Sequence, residues 1–131
     1  MSRQNVEVVR DVYARWARGD LRAALDLFDE DLTCTTFAAG EGDELVHHGL
    51  KAVVSWSRQF FSHWRNYRME AHEVIDRGDK VLVIGHQYAE GKGSGVQMDM
   101  PLFTVWTFRD GRVTELLFTR HRDKALEAAG G

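Results

Sequence analysis

Over residues 6–17 the apolar side chains Val6, Val9, Tyr13 and Trp16 recur every three or four positions, which is one face of a helix. Asn5 is placed to cap its start, and Gly19 suits the left-handed position that ends a helix. Asp20 then caps a second helix with the stripe Leu21, Ala24, Leu25 and Phe28, so the first segment reads as a tight helical hairpin. Residues 32–37, with three threonines, predict a short strand. Residues 38–44 hold two glycines and three acids and predict a mobile loop. A third helix is expected over about residues 50–63, with Leu50, Val53, Val54, Ser57, Phe60, Phe61 and Trp64 to one side.

Beyond that helix the period changes from helical to two. Residues 67–75, 80–90, 96–108 and 112–121 are strand-like, rich in β-branched and aromatic side chains. Asp76-Arg77-Gly78-Asp79 and Asp110-Gly111 are hairpin signals, and Gly91 to Gly95 makes the turn between them. Residues 124–129 predict a short terminal helix. Strands joined by short turns after a helical start give an α+β layout, with the helices gathered on one face of an antiparallel sheet. A strongly curved sheet over three helices makes a cone, and the space between the layers is a natural ligand site.

Length and composition narrow the reading further. At 131 residues the chain is expected to be one domain, residues 1–131. Its net charge of −3 argues against a nucleic-acid partner, which normally calls for a basic excess on one face. The apolar runs are far too short to span a bilayer, so no membrane partner is expected either. One cysteine, Cys34, cannot form an intramolecular disulfide and fits a reducing, cytoplasmic location. Fourteen aromatic residues beside a single proline point to a core or cavity walled by rings.

The run Trp16-x-x-Gly19-Asp20-x-x-Ala23-x-x-x-Leu27-Phe28-x-x-Asp31 resembles the opening of SnoaL-like proteins of the nuclear transport factor 2-like superfamily. His48-Gly49, Asp76-x-Gly78-Asp79-x-Val81, Ser94-Gly95, Val105-Trp106-Thr107-Phe108-x-Asp110-Gly111 and the stretch from Ala125 to Gly130 are similar to that group too. The resemblance runs from about residue 5 to 130. It implies a cystatin-like α+β fold: a cone-shaped, curved antiparallel sheet with a mixed edge, wrapped around three N-terminal helices. The superfamily includes ketosteroid isomerases, polyketide cyclases and limonene epoxide hydrolases, as well as proteins that only bind or assemble, so fold alone does not give a reaction.

By that resemblance the catalytic base of an isomerase falls on Thr36 and the acid of its oxyanion hole near Thr104. The helix tyrosine falls near Val12, next to Tyr13. A threonine hydroxyl is far too weak an acid to serve as a base near neutral pH, which disfavours isomerase chemistry. The proton shuttle of the cyclases falls on Phe118, which carries no proton to give. An epoxide-hydrolase arrangement could use Asp99, Arg120 and Asp123, so Asp99 and Arg120 are the catalytic candidates. Asp99 precedes Met100-Pro101, where a proline predicts a bulge, so the direction of its side chain is open.

Alternation along the strands puts Leu102, Thr104, Trp106 and Phe108 inward, and groups Thr114, Leu116, Phe118 and Arg120 on the last strand. The expected ligand-binding set is then Tyr13, Trp16, Thr36, Phe60, Gln87, Thr104, Trp106, Phe118 and Arg120. That composition suits a flat, mostly apolar metabolite with one carbonyl or acid group held by Arg120. No cofactor is implied. His47 and His48, being adjacent, are poorly placed to share one ion, so no metal is expected. Cys34 reads as a small buried hydrophobe. Tyr88, Phe103, Val105 and Leu117 mark the outer sheet face as the surface of an expected homodimer.

Overall fold

The structure is a computed structural model and describes residues 2–20, 22, 24–37 and 44–130. The first helix, α1 (Ser2–Ala17), starts earlier than the apolar period suggests, so Asn5 lies inside it instead of capping it. It ends as its sequence demands. Gly19 takes φ 89°, and the N–H groups of Gly19 and Asp20 close on the carbonyls of Trp16 and Arg15 at 2.9 and 3.0 Å.

Among the described residues the expected second helix is not formed. A single 3-10 turn, Leu25–Leu27, leads into β1 (Phe28–Phe37), while Leu21 and Ala23 lie outside the described residues. An eight-residue apolar stripe is too short to hold a helix by itself, and pairing in the sheet claims Phe28 instead. Within β1, Leu32, Cys34 and Thr36 are buried at alternate positions. A strand absent from the sequence reading, β2 (Glu44–His48), pairs antiparallel with β1; residues 38–43 of the expected loop lie outside the described residues.

The helix α2 (Leu50–Ser62) and the strands β3 (Trp64–Arg77), β4 (Lys80–Gly91), β5 (Gln97–Arg109) and β6 (Arg112–Thr119) fall where periodicity put them. A short helix, α3 (Arg122–Ala128), ends the chain. Among the described residues there are three α-helices, but the third is C-terminal rather than part of an N-terminal trio. The six strands form one curved, unclosed sheet in the order β2-β1-β6-β5-β4-β3. Only the β1–β6 pair is parallel, which makes the sheet mixed. Asp110 and Gly111 both take positive φ, 51° and 79°, as a two-residue hairpin with the sheet's twist requires.

Two details of register differ from expectation. Pro101 makes no bulge: the β4–β5 ladder runs past it without a shift. Opposite Phe103, β6 ends, so the N–H that Pro101 lacks would have faced an open edge. The irregularity lies instead on β6, where Phe108 pairs with Val113 and Thr107 with Glu115. Thr114 is the extra residue of a bulge, and Val113 takes the inward place that strict alternation gives to Thr114.

Both faces of the sheet are covered in part. On the inner face α1 and α2 share one apolar core with Trp106, Phe108, Leu116 and Val81. On the outer face α3 lays Ala125 and Ala129 over Leu82, Phe103 and Val105, with Leu117 alongside. This corrects the expectation that Phe103, Val105 and Leu117 face a partner: the chain's own last helix covers them. No helix among the described residues is long and apolar enough to cross a membrane.

Candidate functional site

The inner face of the sheet is wider than the helices that cover it. Near α1 the gap is filled by rings. Tyr13 and Trp16 meet edge to face at 5.1 Å, and both lie against Trp106, at 6.1 and 5.9 Å, with Phe28 at 6.3 Å. This packed floor also satisfies its polar atoms. The Trp106 indole N–H donates to Thr104 Oγ1 at 3.0 Å, and the same oxygen meets the Tyr13 hydroxyl at 2.9 Å. Burial pushes the Tyr13 phenol up to about 12, so it stays neutral.

Toward α2 the layers diverge and leave a cavity of about 780 Å³, inside the range that encloses a small molecule. Its wall on the helix side carries Trp56 and Phe60, stacked at 5.4 Å, and Phe61. Tyr67 stands at right angles to Phe60, 5.5 Å away. Its sheet side carries Met69, Met98, Met100, Leu102, Leu116 and Phe118. Methionines adapt their shape to what they touch, and stacked rings favour flat partners.

The residues expected at the site divide into two groups. Trp16, Thr36, Phe60, Gln87, Phe118 and Arg120 line the cavity. Tyr13, Thr104 and Trp106 do not; they form the sealed floor beneath it, with Thr104 and Trp106 fully buried. The reason is volume: four large rings converge at the narrow end and leave no space there.

The catalytic candidates also separate. Arg120 borders the cavity, its guanidinium 5.7 Å from the centre of the Phe37 ring. Asp99 borders it too, but pairs across the ladder with Tyr88, on the face opposite that of Gln87 and Met100. Its carboxylate, 68% exposed, bonds there to His86 Nε2. The cavity therefore does not receive the Asp99 carboxylate.

The polar groups that do face inward are few and mostly neutral. Tyr67 donates its hydroxyl proton to Gln87 Oε1 at 2.7 Å, and burial raises the Tyr67 pKa, with a further push from Tyr13. Gln87 is only 3% exposed, and its NH2 group has no protein partner among the described residues. Thr36 Oγ1 lies 3.5 Å from both the Leu45 carbonyl and His47 Nε2. His47 lies tilted against Trp56 at 5.2 Å, and burial lowers its pKa. The buried Cys34 thiol is pushed up to about 12 by desolvation, which keeps it protonated at neutral pH. Among the described residues no three His, Cys, Asp or Glu side chains converge to hold a metal.

Sequence reasoning missed Tyr67, Met98 and Met100. Tyr67 sits at a register shift between Arg65 and Arg68, where alternation gives no direction. The methionines were within reach, since Leu102 inward implies Met100 and Met98 inward, but the bulge expected at Pro101 interrupted that inference.

The sequence matches the SnoaL-like domain over residues 9–116. The chain belongs to the SnoaL-like domain family. Solved structures agree on the fold. An NTF2-like protein of unknown function from Burkholderia pseudomallei K96243 superposes with a TM-score of 0.77, at 22% identity over 97% of this chain and 98% of that one. A candidate SnoaL-like polyketide cyclase from Jannaschia sp. CCS1 gives 0.76, at 20% identity over 98% and 92%. TerC, co-crystallised with polyporic acid, gives 0.73, at 20% identity over 97% and 98%. No curated protein matches the chain in sequence. At these identities the likeness of this SnoaL-like chain to its neighbours is one of fold, and its chemistry rests on its own residues.

Proposed function

We propose that this SnoaL-like protein binds a small, flat, mostly apolar metabolite in the cavity between α2 and the sheet, without a ketosteroid-isomerase catalytic set. The observation that carries the reading is the buried Gln87 amide, which presents an unmatched donor to a volume of about 780 Å³ walled by rings and methionines. Apolar walls supply affinity through area removed from water, and one fixed donor supplies orientation. The positions that the family's isomerases and cyclases use for proton transfer hold Thr36, Thr104 and Phe118, none of which moves a proton near neutral pH. Polyporic acid, co-crystallised with TerC, a protein of this fold, supports small-molecule binding by analogy.

A thermal-shift screen against steroids, aromatic polyketides, terpenoid epoxides and fatty acids tests it. A compound at 100 times its Kd stabilises by about 2.7 kcal/mol, or roughly 5–10 °C here. Val54→Trp, which places an indole where Val54 lines the cavity, removes that shift while leaving the protein folded. Binding that survives Val54→Trp would place the ligand elsewhere.

An enzyme of the isomerase, cyclase or epoxide-hydrolase kind is the alternative, supported by the cyclase among its structural neighbours. It would draw on Arg120, and turnover of a bound hit that is lost in Arg120→Ala would establish it. The reading also includes a cytoplasmic homodimer. Its surface is the strip of the outer face that α3 leaves open, where Arg68 lies 4.5 Å over the Tyr88 ring. Light scattering that gives twice 15.0 kDa checks it.

A further inference from the structure

The cavity is apolar within, but its mouth is not neutral. Arg22 before β1 and Arg58 on α2, both exposed, and the half-buried Arg120 just beyond β6 line the cavity, as does His63 at the end of α2. None of these arginines joins a salt bridge among the described residues. The only acid among the described lining residues is Asp99, and its carboxylate is engaged with His86 on the opposite face. A chain of net charge −3 thus lines this cavity with three guanidiniums that no salt bridge engages among the described residues. A cleft with low-dielectric walls focuses such a field on whatever enters it.

Arg120 is the best held of the three. It is half-buried, and its guanidinium carbon lies 5.7 Å from the centre of the Phe37 ring, a cation–π contact that leaves its N–H groups free to donate to a ligand. The far polar point is of the other kind. Gln87 is neutral and buried, so it can meet a carbonyl but cannot compensate the desolvation of a full charge.

We propose that the ligand is an organic anion: a flat apolar carboxylate with its acid group at the mouth against Arg120 and Arg58, and its neutral, carbonyl-bearing end toward Gln87. This rests on the cavity-binding reading above and adds the charge and the orientation. Arginine and carboxylate form a charge-assisted pair that a neutral ester cannot reproduce, so the mouth discriminates between the two. The reverse orientation would bury the carboxylate beside a neutral amide, which the site has no charge to offset.

Anthraquinone-2-carboxylic acid and its methyl ester are titrated against the full chain, read by tryptophan fluorescence. Trp16, Trp56 and Trp64 line the cavity and report occupancy directly. The acid is expected to bind about tenfold tighter than the ester, a difference of about 1.4 kcal/mol. Raising salt from about 20 mM to about 500 mM should reduce the acid's advantage and leave the ester unchanged. Arg120→Gln should bring the two affinities together. The exposed Arg58→Gln, which cannot disturb the core, should narrow the gap in the same direction. Equal affinities for acid and ester in the unaltered protein would overturn the anion assignment while the cavity reading stands. Failure of both to bind would overturn both.

Discussion

Thr104 shows how a residue can be indispensable near a site without belonging to it. Its single hydroxyl serves the Tyr13 phenol at 2.9 Å and the Trp106 indole at 3.0 Å, all of them buried. Thr104→Val keeps the shape and removes the oxygen, which leaves two buried donors without a partner. We expect a loss of about 2–4 kcal/mol in denaturant unfolding, with ligand affinity nearly unchanged because Thr104 does not reach the cavity. Tyr13→Phe removes one partner of the same oxygen and should cost only about 1 kcal/mol. Equal losses for the two would contradict this account of the floor. At this scale the sequence showed which chemistry was missing, since a threonine is a threonine whichever way it points. It did not show direction. Asp99 and Gln87 are both polar residues on adjacent strands, and only the register, which pairs Tyr88 with Asp99 and Gln87 with Met100, sends one carboxylate out and one amide in.

The elements depend on a few positions where backbone approaches backbone. Gly85, in the middle of β4, faces the bulge of β3 between Ala71 and Glu73, where a Cβ would lie 2.0 Å from the Glu70 carbonyl oxygen. Because the obstacle is main chain, no rotamer change relieves it. Gly85→Ala should therefore destabilise by about 2–4 kcal/mol, seen as a lower melting temperature. An unchanged melting temperature would mean that the bulge is not required. Hairpin strands and turns were legible because period-two patterns and Asp-Gly turns are local signals. The extension of β1 back to Phe28 was not, because Phe28 fits either period and the parallel partner, β6, is far away in sequence. β2 was hidden for a related reason: it is short, with Leu45 and Val46 exposed, so it carries no buried alternation. On the outer face, the apolar residues taken for a partner surface are covered by α3, a distinction no strand pattern contains. Ala125→Asp, which forces a charge between α3 and Val105, should detach that helix, and faster hydrogen exchange over β5 would register it.

Across the whole molecule, three groups of the cavity and its floor share one electrical property: they are weak acids kept neutral because they are held out of water. Beside the arginines of the lining stand these three weak acids: the Cys34 thiol and the Tyr13 phenol are each pushed up to about 12, and the Tyr67 phenol is raised as well, chiefly by desolvation. Their unfolded values are 9.0 for the thiol and 10.0 for the phenols. In each case the folded value exceeds the unfolded one, so the stabilisation is fully present below the unfolded value and is lost as pH climbs toward the folded one. Neutral pH leaves the protein untouched. Above pH 9 the thiol begins to favour the unfolded chain, at about 1.4 kcal/mol per pH unit, and above pH 10 the two phenols join it. Together the three approach about 4 kcal/mol per unit, against a total stability of about 5–15 kcal/mol for a domain of this kind. Unfolding should therefore arrive abruptly between about pH 10 and 12. Absorbance at tyrosinate wavelengths should rise in the same step as loss of structure for Tyr13 and Tyr67, because neither phenol ionises while it is buried. Cys34→Ala shifts the start of the decline upward from pH 9, and Tyr13→Phe makes the steep part shallower. A smooth tyrosinate titration in a protein that stays folded through pH 11 would show that the cavity admits water and hydroxide freely. The apolar enclosure on which ligand binding depends would then be absent.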